Sequence, residues 1–370
     1  MLVHLIAGAR PNFMKVAPIH RAAVAAGLEA RLIHTGQHYD PAMSQVFLDE
    51  LGLPAPHRHL EVGSGSHAEV TARALERLEK VFQEERPDWV LVVGDVNSTL
   101  AGALAAVKLG LRCAHVEAGL RSGDRAMPEE LNRLATDAVC DLLLVSEPAG
   151  LANLRREGKP DKVVRLVGNT MIDTLDRFLP AARARQTRAR FGLPERGFAL
   201  CTLHRPSNVD DPAELAALVA RLQRVAARLP VVFPVHPRTR ARLAGAGMAP
   251  PRRTDAGSAG AMQASPLQLI DPLGYLDFVS LMADARVVLT DSGGIQEETT
   301  ALGVPCLTLR DNTERPITVD EGTNQLVGAG GERLEPALDE LLSGRARPGR
   351  RPALWDGHAA ERIVAELVNA

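Results

Sequence analysis

The sequence lacks most features that would assign a chain to a class at sight. Formal net charge is only -2 over 370 residues, so there is no bulk basic surface for nucleic acid or for an acidic membrane. No stretch approaches a membrane-spanning run of about 18 apolar residues, and the opening MLVHLIAGARPN has no basic segment followed by a long apolar one. The expectation is a cytoplasmic protein with neither nucleic acid nor membrane as a partner. Cysteine is scarce: Cys113, Cys140, Cys201 and Cys306 lie far apart, without a C-x-x-C pair, and three sit in or beside apolar runs. They read as reduced core residues, which excludes a cysteine zinc site or a thiol exchange motif. Only five of the 43 basic residues are lysine, a bias that identifies no ligand. No H-E-x-x-H or comparable metal motif is present either.

What is present is an ordinary globular composition, 45% hydrophobic and 24% charged. The length calls for two domains of roughly 150 to 200 residues each. In the first half, apolar runs at Leu2–Ala7, Ala30–Thr35, Trp89–Val93, Arg112–Val116, Leu142–Val145 and Val163–Leu166 alternate with helically spaced segments at Phe13–Ala25, His67–Gln83 and Thr99–Leu109. The second half repeats this with strands at Phe198–Leu203, Val231–Val235, Leu267–Ile270, Val287–Thr290 and Val304–Leu309, and helices at Pro212–Leu229, Tyr275–Ala283 and Ile295–Leu302. Such alternation predicts an α/β fold, two parallel sheets each covered on both faces, with a cleft between two tandem units. The seam falls near Gly168–Leu175, giving a first domain 1–168, a second 169–352 and a final helical segment 353–370. Residues 250–265 read as an irregular excursion between strands.

Ligands of open parallel sheets bind beyond the carboxyl ends of the strands, so those ends carry the argument. The first strand runs into AGARPNFMK, which is neither G-x-G-x-x-G nor a P-loop. Gly8 permits a tight turn there, and Arg10 and Lys15 bring cations to a helix start. Asp95 follows Gly94 at the end of VVGDVNST, with Asn97, Ser98 and Thr99 available as helix caps. Glu117 ends the next strand in HVEAGLRSGD, and Pro128-Glu129-Glu130 opens another helix. Three carboxylates near one another raise each other's pKa, which suits an acid and a base. In the second half TLHRPSN places His204 and Arg205 after a strand, and FPVHPRT does so for His236 and Arg238; both suit phosphate oxygens. In LTDSGGIQEE the residues Ser292, Gly293 and Gly294 form a turn whose N–H groups seat a phosphate. Glu298 lies about one turn into the next helix and suits the hydroxyls of a ribose. Arg310 and Arg315 add positive charge nearby, while Asp291, Gln296 and Glu297 read as capping or helix-surface residues.

The ordered set GARPNFMK, TGQHYD, VVGDVNST, HVEAGLRSGD, MPEELNR, GNTMID, TLHRPSN, PVHPRT, DSGGIQEE, LGVPCLTLRDNTERP and EGTNQLVG closely resembles the non-hydrolysing UDP-N-acetylglucosamine 2-epimerase family, from Leu2 to Gly328. The resemblance implies a glycosyltransferase-B architecture: two Rossmann-like domains around a central cleft, as a homodimer, with the C-terminal helix returning to the first domain. It implies interconversion of UDP-N-acetylglucosamine and UDP-N-acetylmannosamine through elimination of UDP to 2-acetamidoglucal and re-addition, for surface polysaccharide synthesis, without cofactor or metal. Carried over by resemblance, Asp95, Glu117 and Glu130 are the catalytic carboxylates, and His204 is the catalytic or diphosphate-contacting histidine. Arg10, His236, Ser292, Gly293 and Gly294 then hold the diphosphate, Glu298 the ribose, and Lys15 and Arg315 surround the uridine phosphate and sugar. One departure stands out: the Arg-Gln pair that many bacterial members carry after TGQH for a regulatory UDP-sugar is absent from HLEVGSGSHAEVTARAL. Three alternatives stay open: a glycosyltransferase of the same architecture, a hydrolysing epimerase, and a UDP-sugar-binding module without activity.

Overall fold

Short, β-branched apolar runs bounded by polar residues form central strands when both faces are to be covered, and that is their fate here. The computed structural model describes residues 1–36, 48, 50–235, 237–245 and 266–370, with side chains left undescribed at 10, 237, 238, 244 and 245. Contacts divide the chain into one unit of Met1–Thr174 with Ala353–Ala370 and another of Leu175–Pro352.

The first unit holds β1 (Leu2–Ala7), β2 (Glu29–His34), β3 (Arg58–His59), β4 (Trp89–Val93), β5 (Arg112–Val116), β6 (Leu142–Val145) and β7 (Val164–Leu166) in a parallel sheet of order β3-β2-β1-β4-β5-β6-β7. Every residue of β4 is buried. The second unit holds β8 (Ala199–Thr202), β9 (Val231–Pro234), β10 (Leu267–Ile270), β11 (Val287–Thr290), β12 (Cys306–Thr308) and β13 (Asn324–Leu326), also parallel, in the order β10-β9-β8-β11-β12-β13. In each sheet the order reverses once, between β1 and β4 and between β8 and β11. At such a point the chain leaves toward opposite faces from neighbouring strands, which opens a crevice at their carboxyl ends.

Two strands were not expected. β3 is Arg-His and β13 is Asn-Gln-Leu, each short and on a sheet edge, so neither presents an apolar run. Helices also begin earlier than their apolar periodicity: Arg10–Ala25, Asn97–Lys108 and Gly293–Leu302 start with polar or glycine residues that still face the strand ends. Ser292-Gly293-Gly294 is therefore not a free turn, since both glycines already belong to the helix. Asn97, Ser98 and Thr99 do not cap their helix either; the cap is Val96, without a side-chain bond, while Ser98 bonds Thr35 just past β2, Thr99 donates to the Val93 carbonyl at the end of β4, and Asn97 accepts from Asn132 on helix Pro128–Val139. The expected excursion at 250–265 lies outside the described residues.

The last helix, Ala359–Asn369, packs on Arg10–Ala25 within the first unit. Trp355 precedes it, buried, with its indole N–H donating to the Ser146 carbonyl at 3.2 Å. Gly168 adopts φ +91°, and a Cβ there would stand 2.1 Å from the Leu354 carbonyl oxygen, so only glycine lets the returning segment this close. The helix start has no capping side chain of its own; Asp173 serves instead, accepting from the N–H groups of Ala359 at 3.1 Å and Ala360 at 2.7 Å. Asp173→Ala strands two buried donors, each worth about 1–3 kcal/mol. Urea unfolding is expected to show a lowered midpoint with the slope unchanged.

Candidate functional site

At the first unit's reversal point, Asn12 stitches two strand ends together. Its Oδ1 accepts from the N–H groups of Gly8 and Ala9 at 3.1 and 3.0 Å, and its Nδ2 donates to the Val93 carbonyl at 3.1 Å. Gly8 is needed for space, since a Cβ there would lie 2.4 Å from Ser98 Oγ, and Ser98 Oγ is itself 2.7 Å from Thr35 Oγ1. Lys15 is buried and places Nζ 2.6 Å from Glu117 Oε2. It is thus a carboxylate's partner, not a surface cation at the helix start. Glu117 itself has φ +70°, a conformation that costs a non-glycine residue on the order of 1–3 kcal/mol and persists only where surroundings enforce it. Next to it, Gly94 at φ +68° leaves room in which a Cβ would meet Lys15 Nζ at 3.1 Å and Glu117 Oε2 at 3.8 Å.

Asp95 and Glu130 are joined by Arg133. Its Nη2 lies 2.5 Å from Asp95 Oδ2 and its Nη1 2.7 Å from Glu130 Oε2. Glu130 also accepts from the N–H of Ser122 at 2.9 Å, the hydroxyl of Ser122 at 3.0 Å and the N–H of Gly123 at 3.0 Å. Burial alone would raise the Glu130 carboxyl; the backbone donors of Ser122 and Gly123, then Arg133 and the Ser122 hydroxyl, outweigh it and hold it below the ordinary range. The expectation that neighbouring carboxylates raise one another therefore fails for Glu130, because donors converge on it. The side chain of Asp95 is 27% exposed, against 3% each for Glu117 and Glu130, so Asp95 is the most accessible of the three.

At the second unit's reversal point the organising group is Asp291, fully buried after β11. It accepts from the N–H of His204 at 3.0 Å, the N–H of Arg205 at 2.9 Å and Asn208 Nδ2 at 3.1 Å, and lies 2.8 Å from His204 Nδ1. Burial raises its carboxyl, but His204 and these donors prevail and keep it below the usual value. His204 is held at one ring nitrogen while its side chain stays 45% exposed. Sequence reasoning missed Asp291; the available signal was a charged residue directly after four buried strand residues, VVLT.

Helix Gly293–Leu302 begins at Ser292 without a side-chain cap, and its first N–H groups have no partner within the helix. A Cβ on Gly293 would stand 2.7 Å from Arg315 Nη1 and 2.8 Å from Glu314 Oε1. Arg315 reaches Glu297 at 2.7 Å and Glu314 at 2.6 Å, Arg310 reaches Glu314 at 2.7 Å, and Arg205 approaches it at 3.8 Å. Three guanidinium groups thus meet two carboxylates around Gly293. Glu297 is no surface residue, and neither is Gln296, whose Oε1 accepts from Thr313 at 2.7 Å and Asn324 at 3.0 Å. Glu298 is buried with Tyr275, whose hydroxyl donates to Oε1 at 3.0 Å; burial pushes its carboxyl up to about 8, the Tyr275 bond opposing and the Glu297 charge adding to the rise.

The structure thus gathers Lys15, Asp95, Glu117 and Glu130 at one set of strand ends, and His204, Ser292, Gly293, Glu298 and Arg315 about another. Gly294 lies in the first turn of the same helix as Gly293. His236 and the side chain of Arg10 lie outside the described residues. Among the described residues no group of three or more His, Cys, Asp or Glu is arranged to hold a metal, and no helix is long and apolar enough to cross a membrane.

A family model described as UDP-N-acetylglucosamine 2-epimerase matches residues 21–368. The UDP-N-acetylglucosamine 2-epimerase of Methanocaldococcus jannaschii is 41% identical over 372 residues, covering 99% of each chain. The UDP-2,3-diacetamido-2,3-dideoxy-D-glucuronate 2-epimerase of Pseudomonas aeruginosa is also 41% identical over 372 residues, again with 99% of each chain covered. A crystal structure of the Methanocaldococcus jannaschii UDP-GlcNAc 2-epimerase in complex with UDP-GlcNAc and UDP is similar with a TM-score of 0.88 at 40% identity, covering 100% of both chains. With two Rossmann-like domains of the glycosyltransferase-B class, the chain belongs to the UDP-N-acetylglucosamine 2-epimerase family of enzymes.

Proposed function

We propose that the protein interconverts UDP-N-acetylglucosamine and UDP-N-acetylmannosamine, without cofactor or metal, as a cytoplasmic homodimer that supplies surface polysaccharide synthesis. The observation that carries this reading is the division of charge. The first unit's strand ends hold Asp95, Glu117 and Glu130 with Lys15 and Arg133, an excess of carboxylate suited to moving a proton. Around Gly293 the second unit holds an excess of guanidinium beside an uncapped helix start, suited to a diphosphate.

In this mechanism a carboxylate takes the C2 proton while the C1–oxygen bond breaks and UDP leaves with the bonding pair. A C1–C2 double bond forms, giving 2-acetamidoglucal. A proton then reaches C2 from the other face and the UDP oxygen re-forms its bond to C1. The C2 hydrogen of an N-acetyl sugar is not acidic, so developing charge on the departing diphosphate has to be met by placed donors. Ser292, Gly293 and Gly294 supply them, with Arg10, His204, His236 and Arg315 as further diphosphate contacts. Lys15 neutralises Glu117 beside the sugar. Asp95, the most exposed carboxylate, exchanges the proton with C2.

A second reading keeps this chemistry and changes the sugar to a UDP-2,3-diacetamido uronate, supported by the 41% identical Pseudomonas aeruginosa relative. Incubation with each UDP-sugar in heavy water separates the two: deuterium at C2 and the C2 epimer are expected from the true substrate, with activity unchanged by a chelator. Transfer to an acceptor without C2 exchange would defeat the epimerase reading, and release of free N-acetylmannosamine would turn it into a hydrolase. Asp95→Asn is expected to bind UDP normally and to lose roughly 10²–10⁴-fold in exchange rate, the contribution typical of a placed acid or base.

Glu298 adds a pH dependence. Its carboxyl ordinarily titrates at 4.5 and in the fold at about 8, so the folded state binds this proton more tightly and stability is lost as pH rises from 4.5 to 8. Glu298→Gln cannot ionise, so its stability relative to the parent is expected to grow across that window and level off above it. If the carboxylate accepts from ribose hydroxyls, UDP binding below pH 8 releases a proton. Calorimetry in buffers of different ionisation heat is expected to show this release in the parent and none in Glu298→Gln, with weaker UDP binding in the variant.

A further inference from the structure

Behind the three carboxylates of the first unit lies a second, fully enclosed charged group that the mechanism does not use. Asp137 and His115 are both 0% exposed. His115 sits on β5, two residues before Glu117, with Nδ1 2.6 Å from Asp137 Oδ1 and Nε2 2.8 Å from the carbonyl oxygen of Gly94, the residue before Asp95. The Gly94 carbonyl only accepts, so Nε2 of His115 donates to it, and one further proton lies between Nδ1 and Asp137 Oδ1. Burial works against ionisation of Asp137, but the charge and hydrogen bond of His115, then Arg121 and the Gly119 N–H, hold its carboxyl below the ordinary range.

The other oxygen of Asp137 accepts from the N–H of Gly119 at 2.9 Å, two residues after Glu117, and lies 2.7 Å from Arg121 Nη2, which precedes Ser122. Ser122 in turn gives Glu130 two hydrogen bonds. Arg121 is itself braced by Glu157, at 2.9 and 2.7 Å. Asp137 also shares helix Pro128–Val139 with Glu130, seven residues and about two turns further on, and so faces the same side. Gly119 at φ +81° presses on the backbone of Gly150, where a Cβ would lie 2.4 Å from the carbonyl oxygen, so this loop has one path.

We propose that the buried His115–Asp137 ion pair is the positioning element of the reaction, a single clamp on the backbone of all three carboxylate-bearing segments. It holds Gly94 and so Asp95 through the His115 ring, the Glu117–Gly119 turn through the carboxylate, and the Ser122 cradle of Glu130 through Arg121. Neither residue touches the sugar. The role rests on the epimerase reading above, and its signature is loss of turnover without loss of UDP binding, because misplacing reacting groups by about 1 Å costs on the order of 100-fold.

Two measurements on the full-length protein test it. Nitrogen spectroscopy of the histidine rings at neutral pH is expected to show His115 carrying both ring protons, one of them lost in Asp137→Asn; a neutral ring in the parent overturns the clamp. Kinetics of C2 deuterium exchange are expected to give Asp137→Asn a kcat lowered about 100-fold with KM and UDP affinity within about 3-fold of the parent. His115→Gln, which can still donate to Gly94, is expected to retain more activity than His115→Leu, and it carries the comparison if Asp137→Asn does not fold. A folded Asp137→Asn with parental kcat, or parallel losses of kcat and UDP affinity, would overturn the proposal. Absence of C2 exchange in the parent would defeat the epimerase reading instead, leaving the ring spectrum as an independent measure of the clamp.

Discussion

A carboxylate buried where a parallel strand ends must be neutralised where it stands, and one aspartate in each unit meets that constraint in the same manner. Asp291 collects the N–H groups of His204 and Arg205 and the ring of His204, all from the neighbouring strand end. Asp137 collects the ring of His115 and the N–H of Gly119, again from a neighbouring segment. In a site of low dielectric these bonds are strong and their loss is costly, so the backbone that supplies them is fixed. The accessible groups, Asp95 in one unit and His204 in the other, take their positions from these enclosed ones.

Charge is arranged around those anchors with opposite bias. Arg133 divides itself between Asp95 and Glu130, and Lys15 serves Glu117, which leaves the first unit's strand ends short of cations. Around Gly293, Arg205, Arg310 and Arg315 outnumber Glu297 and Glu314. Glu298 escapes both arrangements: burial raises its carboxyl, and a tyrosine hydroxyl in place of a cation opposes that rise only in part.

Much of the scaffold was legible in the sequence because central parallel strands are buried on both faces and read as apolar runs; β1, β4, β5, β6, β10 and β11 fall at the expected residues. β3 and β13 were not legible, since an edge strand of two or three mainly polar residues is created by its neighbour's unpaired backbone rather than by its own side chains. The helix starts at Asn97 and Gly293 were misplaced for a related reason. Periodicity reports where a helix acquires an apolar face, while its first turn here serves the strand ends.

By itself the sequence determined the alternation of strand and helix, the two-unit plan and the strand-end carboxylates, histidines and glycines, because these follow from local pattern and from residue type at a predictable position. Only the tertiary structure decided what those residues do to one another. Asp291, Gln296 and Glu297 looked like caps or surface positions until β8, β12 and β13 were laid beside them, and His115 and Asp137 looked like nothing at all. The reason is physical: a buried polar group is defined by its partners, and at these strand ends the partners come from segments distant along the chain, 22 residues apart for His115 and Asp137 and 87 for His204 and Asp291.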